Sequence, residues 1–393
     1  MIPHPLPPDF IPFNRPHLVG PELEYIRQAV ALGKLSGNGE FTQRCQQFIE
    51  QRYGVAKALL TTSGTAALEM AALLLDIQPG DEVIVPSYTF TSTANAFVLR
   101  GARIVFADSQ PDHPNMDLRQ IATLLTPRTR AVVLVHYGGQ PSEGLLKLLD
   151  LAQQHGLWII EDAAQAIEAQ YQGRPLGTFG HLAAFSFHET KNVSSGEGGM
   201  LVINDSRFSA RAEILWEKGT NRAAFYRGEA ARYEWVDVGS SFLPSELNAA
   251  YLWAQFEAIE TIQLRRRYLW ERYAMALEPL AATGAIRLLP HLPDAQPNWH
   301  VFALLCRNEV ERDDLLTHLR RRHILAVFHY LPLHQSPFYA AQHDERLLPH
   351  AECYARTLVR LPLFHDLTFI EQERVIETVL GFYQSDMPTY RAS

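Results

Sequence analysis

Seven short runs of apolar residues recur along the first half of the chain, each bounded by polar or turn-forming residues. They fall at 58–61, 82–86, 103–107, 131–136, 157–161, 183–188 and 200–204. Runs that are apolar throughout, rather than alternating with polar residues, are typical of strands buried on both faces of a sheet. Helical patterns at 65–76, 92–99 and 142–155 lie between them. The pattern therefore predicts an α/β domain with a mostly parallel central sheet sandwiched by helices.

After Pro244 the pattern changes, because residues 245–277 carry apolar side chains at helical spacing and predict one long bridging helix. Beyond a connector at 284–297, strands are predicted at 300–306 and 325–328 and helices at 312–322 and 371–382. We expect a proline-rich N-terminal extension (1–15), a large domain (16–250), and a bridging helix with a small α+β C-terminal domain (251–393).

Composition narrows the class of protein. The chain has 393 residues, of which 47% are hydrophobic and 20% charged, with a formal net charge of −8. This mild acidity argues against a nucleic-acid coat or a polybasic membrane anchor. No apolar run approaches the ~20 residues needed to span a bilayer, and the three cysteines form no CxxC pair. We expect a soluble, cytoplasmic protein without nucleic-acid or membrane partners.

The first candidate for chemistry is Ser63-Gly64-Thr65, which follows a predicted strand and opens a predicted helix. Free backbone N–H groups and the positive end of the helix dipole would converge there, which suits a phosphate. Considered alone, a serine or threonine at this position is more typical of an ordinary helix cap. The sequence is neither a Walker A loop nor GxGxxG, so it does not indicate a nucleoside triphosphate or a dinucleotide.

An aspartate and a lysine follow two other predicted strands. Asp162 follows the run at 157–161, at the strand end where α/β sheets bind ligands, although an aspartate there also caps helices. Lys191 follows the run at 183–188 and precedes a glycine-rich turn at 196–199. Considered separately, most lysines are solvated surface charges.

The order of these three features resembles that of fold-type-I pyridoxal-phosphate enzymes. More narrowly, the chain is similar to the sugar aminotransferases of the DegT/DnrJ/EryC1/StrS family. The stretches that carry this resemblance are 63–68, 86–90, 161–165, 186–191, 196–199 and 329–334.

The resemblance implies pyridoxal 5'-phosphate as the cofactor and a role for each matching residue. Lys191 would bind the cofactor's aldehyde carbon covalently and then move the proton during amino transfer. Asp162 would keep the pyridine nitrogen protonated, and Gln165 would hydrogen-bond the ring's phenolic oxygen. Phe90 would stack on the ring, with Tyr88 as the alternative. A lysine at this position, where some members carry histidine, favours amino transfer over dehydration.

The resemblance also implies how the phosphate is held. The backbone amides of Gly64 and Thr65 would bind it, helped by the hydroxyls of Thr65 and Ser186. Many family members carry an asparagine at the position of Ser241, where it reaches the cofactor phosphate of a neighbouring subunit. A serine would have to make that contact here, and the site would require a homodimer, with a tetramer as a further possibility.

Two substrates would use the site in turn: L-glutamate as amino donor and dTDP-4-keto-6-deoxy-D-glucose as acceptor. His188, beside the lysine, is placed with the catalytic residues, although a structural hydrogen bond is equally open to it. Tyr88, Arg222 and His329 are expected to contact substrate. Weaker candidates are Lys218, Arg227 and His334, whereas Trp299 and His300 are assigned to strand packing.

Other functions remain open at this point. The same scaffold could aminate C3, or act on another nucleotide ketosugar, and a non-catalytic protein that binds pyridoxal phosphate is the remote alternative. A nicotinamide dehydrogenase is disfavoured because no GxGxxG follows an early strand. The histidines are dispersed and lack ligand-like spacing, so no metal is predicted.

Overall fold

A computed structural model describes residues 7–385, so 1–6 of the predicted extension and 386–393 lie outside the described residues. The strands are β1 (Lys57–Thr61), β2 (Glu82–Pro86), β3 (Arg103–Ala107), β4 (Thr129–Val135), β5 (Trp158–Asp162), β6 (Gln170–Tyr171), β7 (Arg174–Pro175), β8 (Leu182–Ser186), β9 (Gly199–Ile203), β10 (Arg287–Leu288), β11 (Ala295–Gln296), β12 (Phe302–Leu305) and β13 (Leu358–Leu361). The helices are α1 (Glu22–Ala31), α2 (Glu40–Tyr53), α3 (Gly64–Leu74), α4 (Thr91–Val98), α5 (Ile121–Leu124), α6 (Leu145–His155), α7 (Ser209–Trp216), α8 (Arg222–Tyr226), α9 (Glu246–Glu257), α10 (Ile259–Ala282), α11 (Glu309–Arg320), α12 (Pro349–Thr357) and α13 (Phe369–Ser385).

The predicted central sheet is confirmed. The seven apolar runs of the sequence form one sheet in the order β1-β9-β8-β5-β4-β2-β3. β3, β2, β4, β5 and β8 are parallel to one another, whereas β9 is antiparallel to both of its neighbours, β8 and β1. Because the parallel strands end at the same edge, the loops after β5 and β8 meet there.

Both faces of this sheet are covered. Along β5, Ile159 belongs to one buried hydrophobic cluster and Ile160 to another, as expected where successive side chains point to opposite faces. A third cluster lies among α10, α11, α13, β12 and β13 and includes Ile11 from the N-terminal segment. The first cluster contains residues from both sides of the predicted boundary at 250, so it does not divide the chain there. The domain limits at 15 and 250 therefore stay predictions.

The predicted bridging helix is two helices. α9 and α10 meet at Ala258, whose backbone leaves the helical region (φ −99°, ψ 7°). The break lets α9 pack on α1 and α2 while α10 packs on α13. Neither glycine nor proline marks this break in the sequence, so the uninterrupted helix predicted over 245–277 was wrong there.

The strand predicted at 325–328 does not form as a strand of the small sheet. That sheet has the order β10-β12-β13, and its third strand, β13, was not predicted. Residues 324 and 325 instead pair with the N-terminal segment, through the Ile11–Ile324 bridge and the bond from Leu325 N–H to the Ile11 carbonyl (2.9 Å). Val327 makes a single bridge to Arg360. No helix within residues 7–385 is both long and apolar enough to cross a membrane.

The start of α3 lies unusually close to the end of the sheet. A Cβ atom on Gly199 would lie 2.2 Å from the carbonyl carbon of Ser63 and 2.3 Å from the amide nitrogen of Gly64. A Cβ on Gly64 would lie 3.0 Å from the Cβ of Ser186. Glycine at 199 is therefore what allows the helix N-terminus to rest on β9 beside the end of β8.

We expect Gly199→Ala to lower the free energy of unfolding by about 2 kcal/mol or more, because the added methyl group meets backbone atoms that cannot rotate away. The control is Gly381→Ala in α13, where an added Cβ meets nothing within 4 Å. That variant should unfold at the wild-type temperature or slightly above it, since alanine favours helix. Thermal unfolding compares the two, and equal melting temperatures would contradict the steric argument.

Candidate active site

A cavity of about 610 Å³ opens at the carboxyl edge of the central sheet. Its walls come from the start of α3, the start of α4, the ends of β5 and β8, the loop after β8, and the segment 329–330. The cavity brings together most residues named from the sequence, namely Gly64, Thr65, Phe90, Asp162, Gln165, Ser186, His188, Lys191 and His329.

The N-terminus of α3 forms one end of the cavity. Ser63 is the N-cap, and its Oγ accepts a hydrogen bond from the Ala66 amide (3.0 Å). The first turn of a helix carries N–H groups without an intrahelical partner. Gly64 and Thr65 belong to this turn and line the cavity, and the Thr65 and Ser92 hydroxyls are 2.8 Å apart. Both interpretations left open by the sequence therefore apply: Ser63 caps the helix, and the turn it caps faces a ligand-sized space.

Asp162 is the last residue of β5, and its carboxylate lies buried in the cavity wall. The Thr93 hydroxyl donates to Oδ2 (2.7 Å), and the Ala164 amide donates to Oδ1 (3.2 Å). Burial raises the pKa of Asp162, although these two hydrogen bonds and the charge of Lys191 act in the opposite direction. A buried carboxylate held in this way favours a cationic partner.

Lys191 lies on the loop that joins β8 to β9 and faces the same cavity. This loop is held by backbone hydrogen bonds from Glu189 to Gly196 (2.8 Å) and from Phe187 to Gly198 (2.8 Å). Burial lowers the pKa of Lys191 to about 8; the charge of Asp162 opposes this shift and that of Arg360 adds to it. An amine with such a pKa is available in its neutral, nucleophilic form near neutral pH.

Gln165 and Phe90 both line the cavity. The Gln165 side chain accepts from the Gly138 amide (2.8 Å) and donates to the Tyr330 hydroxyl (2.9 Å), which leaves one of its two amide N–H donors for a ligand. Phe90 is 56% exposed, which is unusual for a phenylalanine unless a ligand or partner covers it.

His188 and His329 also face the cavity, with different surroundings. His188 is partly exposed, and its Nδ1 lies 2.9 Å from the Thr190 hydroxyl. His329 Nδ1 lies 3.1 Å from the Tyr137 hydroxyl. Burial lowers the pKa of His329 well below its usual range, and the charges of Arg360 and Lys191 act in the same direction. His329 is therefore a neutral hydrogen-bonding group at neutral pH.

Two residues that were expected to contact the cofactor or a substrate do not line the cavity. Tyr88 is buried behind the wall, with its ring 5.6–5.9 Å from those of Tyr137, Tyr330 and Tyr354, so it does not stack on a ligand there. His334 is also buried, with Nδ1 2.6 Å from the Ser87 hydroxyl, and it does not line this cavity, so its expected contact with the sugar stays a prediction.

Arg222 and Ser241 lie outside the cavity of their own chain. Arg222 lies near Glu217 (3.6 Å), and exposed Ser241 forms an isolated bridge with the same glutamate. The backbone of Lys218 bonds to Ser240 (3.0 Å), and Arg227 pairs with Glu213 (2.8 Å). Their predicted roles toward substrate or a partner's cofactor stay predictions.

Residues that were not expected from the sequence to bind a ligand also line the cavity, among them Phe13, His300 and Arg360. His300 was assigned to strand packing, yet its ring faces the cavity and its Nδ1 lies 2.8 Å from the Asn192 side-chain oxygen. Arg360 stands in an apolar strand, LVRL, where a charged residue is rare unless it is paired. This charged residue in an apolar strand was the signal in the sequence that could have identified Arg360 as a site residue.

Comparison with known proteins places the chain in a class and a family. Its sequence matches the profile of the DegT/DnrJ/EryC1/StrS aminotransferase family over residues 17–380. Solved structures with this fold include a PLP-form, and the prediction of pyridoxal phosphate as cofactor is confirmed. The protein is thus a pyridoxal-phosphate-dependent aminotransferase. It belongs to the DegT/DnrJ/EryC1/StrS family of sugar aminotransferases.

Individual relatives agree with this placement. The chain is 33% identical to the spore coat polysaccharide biosynthesis protein SpsC of Bacillus subtilis, over 94% of this chain and 96% of that one. The aminotransferase TlmJ from Streptoalloteichus hindustanus superposes with a TM-score of 0.87 at 30% identity, covering 95% and 99% of the two chains. DesV from S. venezuelae gives a TM-score of 0.85 at 32% identity, covering 95% and 98%.

The residues of the cavity fit the cofactor. Glycine at 199 leaves room for a helix N-terminus that can bind a phosphate, and the same cavity contains a carboxylate suited to a protonated ring nitrogen. The cavity lining also contains an amine with a lowered pKa and an exposed aromatic ring. The volume exceeds what a single substituted pyridine needs, so a substrate can occupy the cavity beside it.

The lowered pKa of Lys191 predicts a pH dependence of stability. The pKa of Lys191 is about 8 in the folded chain against an ordinary value of 10.5, so between these values the unfolded chain binds more protons and stability rises with pH. We therefore expect cofactor-free Lys191→Met to be more stable than wild type at pH 7. The difference should shrink as the pH rises from 8 to 10.

Urea unfolding at several pH values, followed by circular dichroism, measures this difference. Lys147→Met, which replaces an exposed lysine on α6, is the control and should show no such trend. A stability difference between Lys191→Met and wild type that stays constant over this pH range would contradict the burial argument.

Proposed function

We propose that this sugar aminotransferase transfers the amino group of L-glutamate to C4 of dTDP-4-keto-6-deoxy-D-glucose. The products are dTDP-4-amino-4,6-dideoxy-D-galactose and 2-oxoglutarate, which makes the chain a dTDP-4-amino-4,6-dideoxygalactose transaminase of enterobacterial common antigen synthesis. The observation that carries the proposal is the presence of the Lys191 amine and the Asp162 carboxylate in one cavity, close enough for the charge of each to influence the pKa of the other. The name of the relative SpsC, a polysaccharide biosynthesis protein, supports a product used in polysaccharide assembly.

When bound, the cofactor supplies an electron sink and carries the amino group from donor to acceptor. The chain's residues hold and orient it. The Gly64 and Thr65 amides and the Thr65 and Ser186 hydroxyls would bind the phosphate, and Asp162, fixed by Thr93, would pair with the ring nitrogen. Gln165 would donate its free N–H to the phenolic oxygen, and Phe90 would stack on the ring.

Lys191 has two functions. Its neutral amine would hold the cofactor covalently through the aldehyde carbon until a substrate amine displaced it, and the freed amine would then serve as base and acid for the proton transfer. The backbone bonds of Glu189 and Phe187 hold the loop that carries this amine at the cavity. His188, on the same loop, extends from the cavity toward solvent, where a sugar hydroxyl can reach it.

A homodimer forms part of the proposal. Apolar side chains that precede Ser241 are unusually exposed, with Tyr226, Trp235 and Val236 at 72%, 81% and 50%. Exposed apolar residues concentrated on one segment mark an interaction surface. A second copy covering this segment would bring Ser241 and Arg222 to the partner's cavity, which accounts for their absence from their own.

The substrate assignment predicts a specific product. Purified protein with pyridoxal phosphate, L-glutamate and dTDP-4-keto-6-deoxyglucose should give one amino sugar with an axial amine at C4, determined by NMR. Lys191→Ala should abolish turnover, whereas Lys147→Ala, on the exposed face of α6, should not change it. An equatorial amine, a C3 amine or activity confined to another nucleotide sugar would contradict the substrate assignment and leave the aminotransferase class intact.

The proposed dimer predicts that Trp235→Glu weakens self-association, because a charge replaces the most exposed of these three apolar side chains. Analytical ultracentrifugation should show a dimer for wild type and a larger monomer fraction for the variant, together with weaker cofactor binding. Leu264→Glu on α10, also exposed at 67%, is the control and should remain dimeric. A wild-type monomer that retains activity would contradict the shared site.

A further inference from the structure

Two histidines and an aspartate from distant parts of the chain meet beside α9 and α10. His17 lies in the segment that precedes α1, and His365 and Asp366 lie in the loop that joins β13 to α13. Within residues 7–385 they form a group in which one ligand atom of each side chain lies within 4.8 Å of the other two. None of the three residues lines the cavity of the candidate active site, so this group is separate from it.

The nitrogen and oxygen atoms of this group are close enough to share one cation. His17 Nδ1 lies 2.8 Å and His365 Nδ1 3.0 Å from the same carboxylate oxygen, Asp366 Oδ1. A zinc ion with bonds of about 2.0–2.1 Å in tetrahedral geometry places its ligand atoms about 3.3 Å apart. A movement of about half an ångström by the carboxylate oxygen is therefore enough to admit the ion.

His17 Nδ1 is buried without a hydrogen-bond partner among the described residues. Its separation from Asp366 Oδ1 is that of an ion pair but falls outside the angular range of a hydrogen bond. His365 Nδ1, by contrast, makes a hydrogen bond with the same oxygen (3.0 Å). A buried polar atom without a partner destabilises the folded chain. A metal ion held between the His17 nitrogen and the carboxylate would satisfy both atoms at once.

The donor atoms of this group are those that zinc prefers. The His17 and His365 rings are stacked, with their centroids 3.6 Å apart, and both present Nδ1 to Asp366. Two imidazole nitrogens and a carboxylate oxygen are common zinc ligands, whereas magnesium and calcium bind mainly oxygen. The three side chains are 19–39% exposed, so a water molecule can complete the coordination.

Two consecutive helices hold the backbone of the segments that carry these ligands. The buried side chain of Gln255, on α9, donates a hydrogen bond to the His17 carbonyl (2.9 Å). The Arg265 guanidinium, on α10, donates to the carbonyls of His365 (3.2 Å) and Leu367 (2.7 Å). Because both segments are already fixed, a metal ion would not have to order them when it binds.

We propose that His17, His365 and Asp366 bind a zinc ion that fastens the N-terminal segment to the loop before α13. The ion is held by Nδ1 of each histidine and Oδ1 of the aspartate. The proposal is independent of the proposed function, because the ion lies outside the cavity and takes no part in amino transfer. The sequence predicted no metal because these ligands lie near opposite ends of the chain.

The ion would restrain a segment that forms part of the cavity wall. Phe13 lines the cavity, and the Asn14 side chain donates to the Glu189 carbonyl (3.0 Å) on the loop that carries Lys191. His17 follows a few residues later, before α1 begins. A zinc ion at His17 therefore stabilises the segment on the side away from the cavity, and its role is structural.

The test measures zinc binding by the cofactor-loaded enzyme, purified without a polyhistidine tag, treated with a chelator and dialysed to remove chelator and unbound cofactor. Zinc chloride is titrated calorimetrically into wild type, His17→Gln, His365→Gln and Asp366→Asn. The control is His155→Gln, which replaces an exposed histidine at the end of α6. Circular dichroism and cofactor absorbance confirm that each variant is folded and loaded.

Wild type and His155→Gln should bind one zinc ion per chain with equal affinity. Each of the other three variants should bind zinc at least about 10-fold more weakly, because a ligand is lost. Zinc should raise the melting temperature of wild type but not that of Asp366→Asn, since an ion that binds only the folded chain stabilises it. Zinc should also slow hydrogen exchange in residues 11–17 of wild type.

A wild-type enzyme that binds no zinc, or binds it only at millimolar concentration, would overturn the proposal. Equal zinc affinity in wild type and the three ligand variants would also overturn it and place the ion elsewhere on the chain. If the histidine variants do not fold, Asp366→Asn, which preserves the shape of the side chain, still decides the question. Amino-sugar formation tests the proposed function separately and does not enter this comparison.

Discussion

The carboxylate of Asp162 and the amine of Lys191 face one cavity from the ends of two neighbouring strands, and burial disfavours the charged form of each. Each charge lowers the free energy needed to bury the other, and the surrounding structure holds both groups in place. The Thr93 hydroxyl fixes the carboxylate, and the turn around Gly196 fixes the lysine loop. A parallel order of β5 and β8 is what brings both groups to the same edge.

Much of the fold could be predicted because the seven strands are mostly apolar, without alternating polar positions, as is typical of a sheet covered on both faces. The direction of β9 could not be predicted, since an apolar run carries no information on whether its neighbour is parallel. The small sheet was harder, because β13 contains an arginine and residues 325–328 look like a better strand. Residues 324 and 325 instead pair with the N-terminal segment, and this pairing depends on contacts distant in sequence.

The candidate site also has residues that could be predicted from the sequence and residues that could not. Residues at strand ends and helix starts, such as Gly64, Asp162 and Lys191, could be placed because the topology of an α/β sheet brings such positions together. Tyr88 was misjudged because its motif shows which loop it is on but not which way its ring points. Arg360 and Phe13 were missed because they reach the cavity from distant parts of the chain, without a local motif.

The pairing of Ile11 with Ile324 joins two segments separated by almost the whole length of the chain. During synthesis on the ribosome, residues near 11 emerge first and must wait until the partner segment near 324 has been translated. Forming contacts across so long a loop is slow compared with local folding. The wall that contains Phe13 is therefore among the last parts of the molecule to assemble. A nascent chain whose central sheet is already complete would still have an unfinished site.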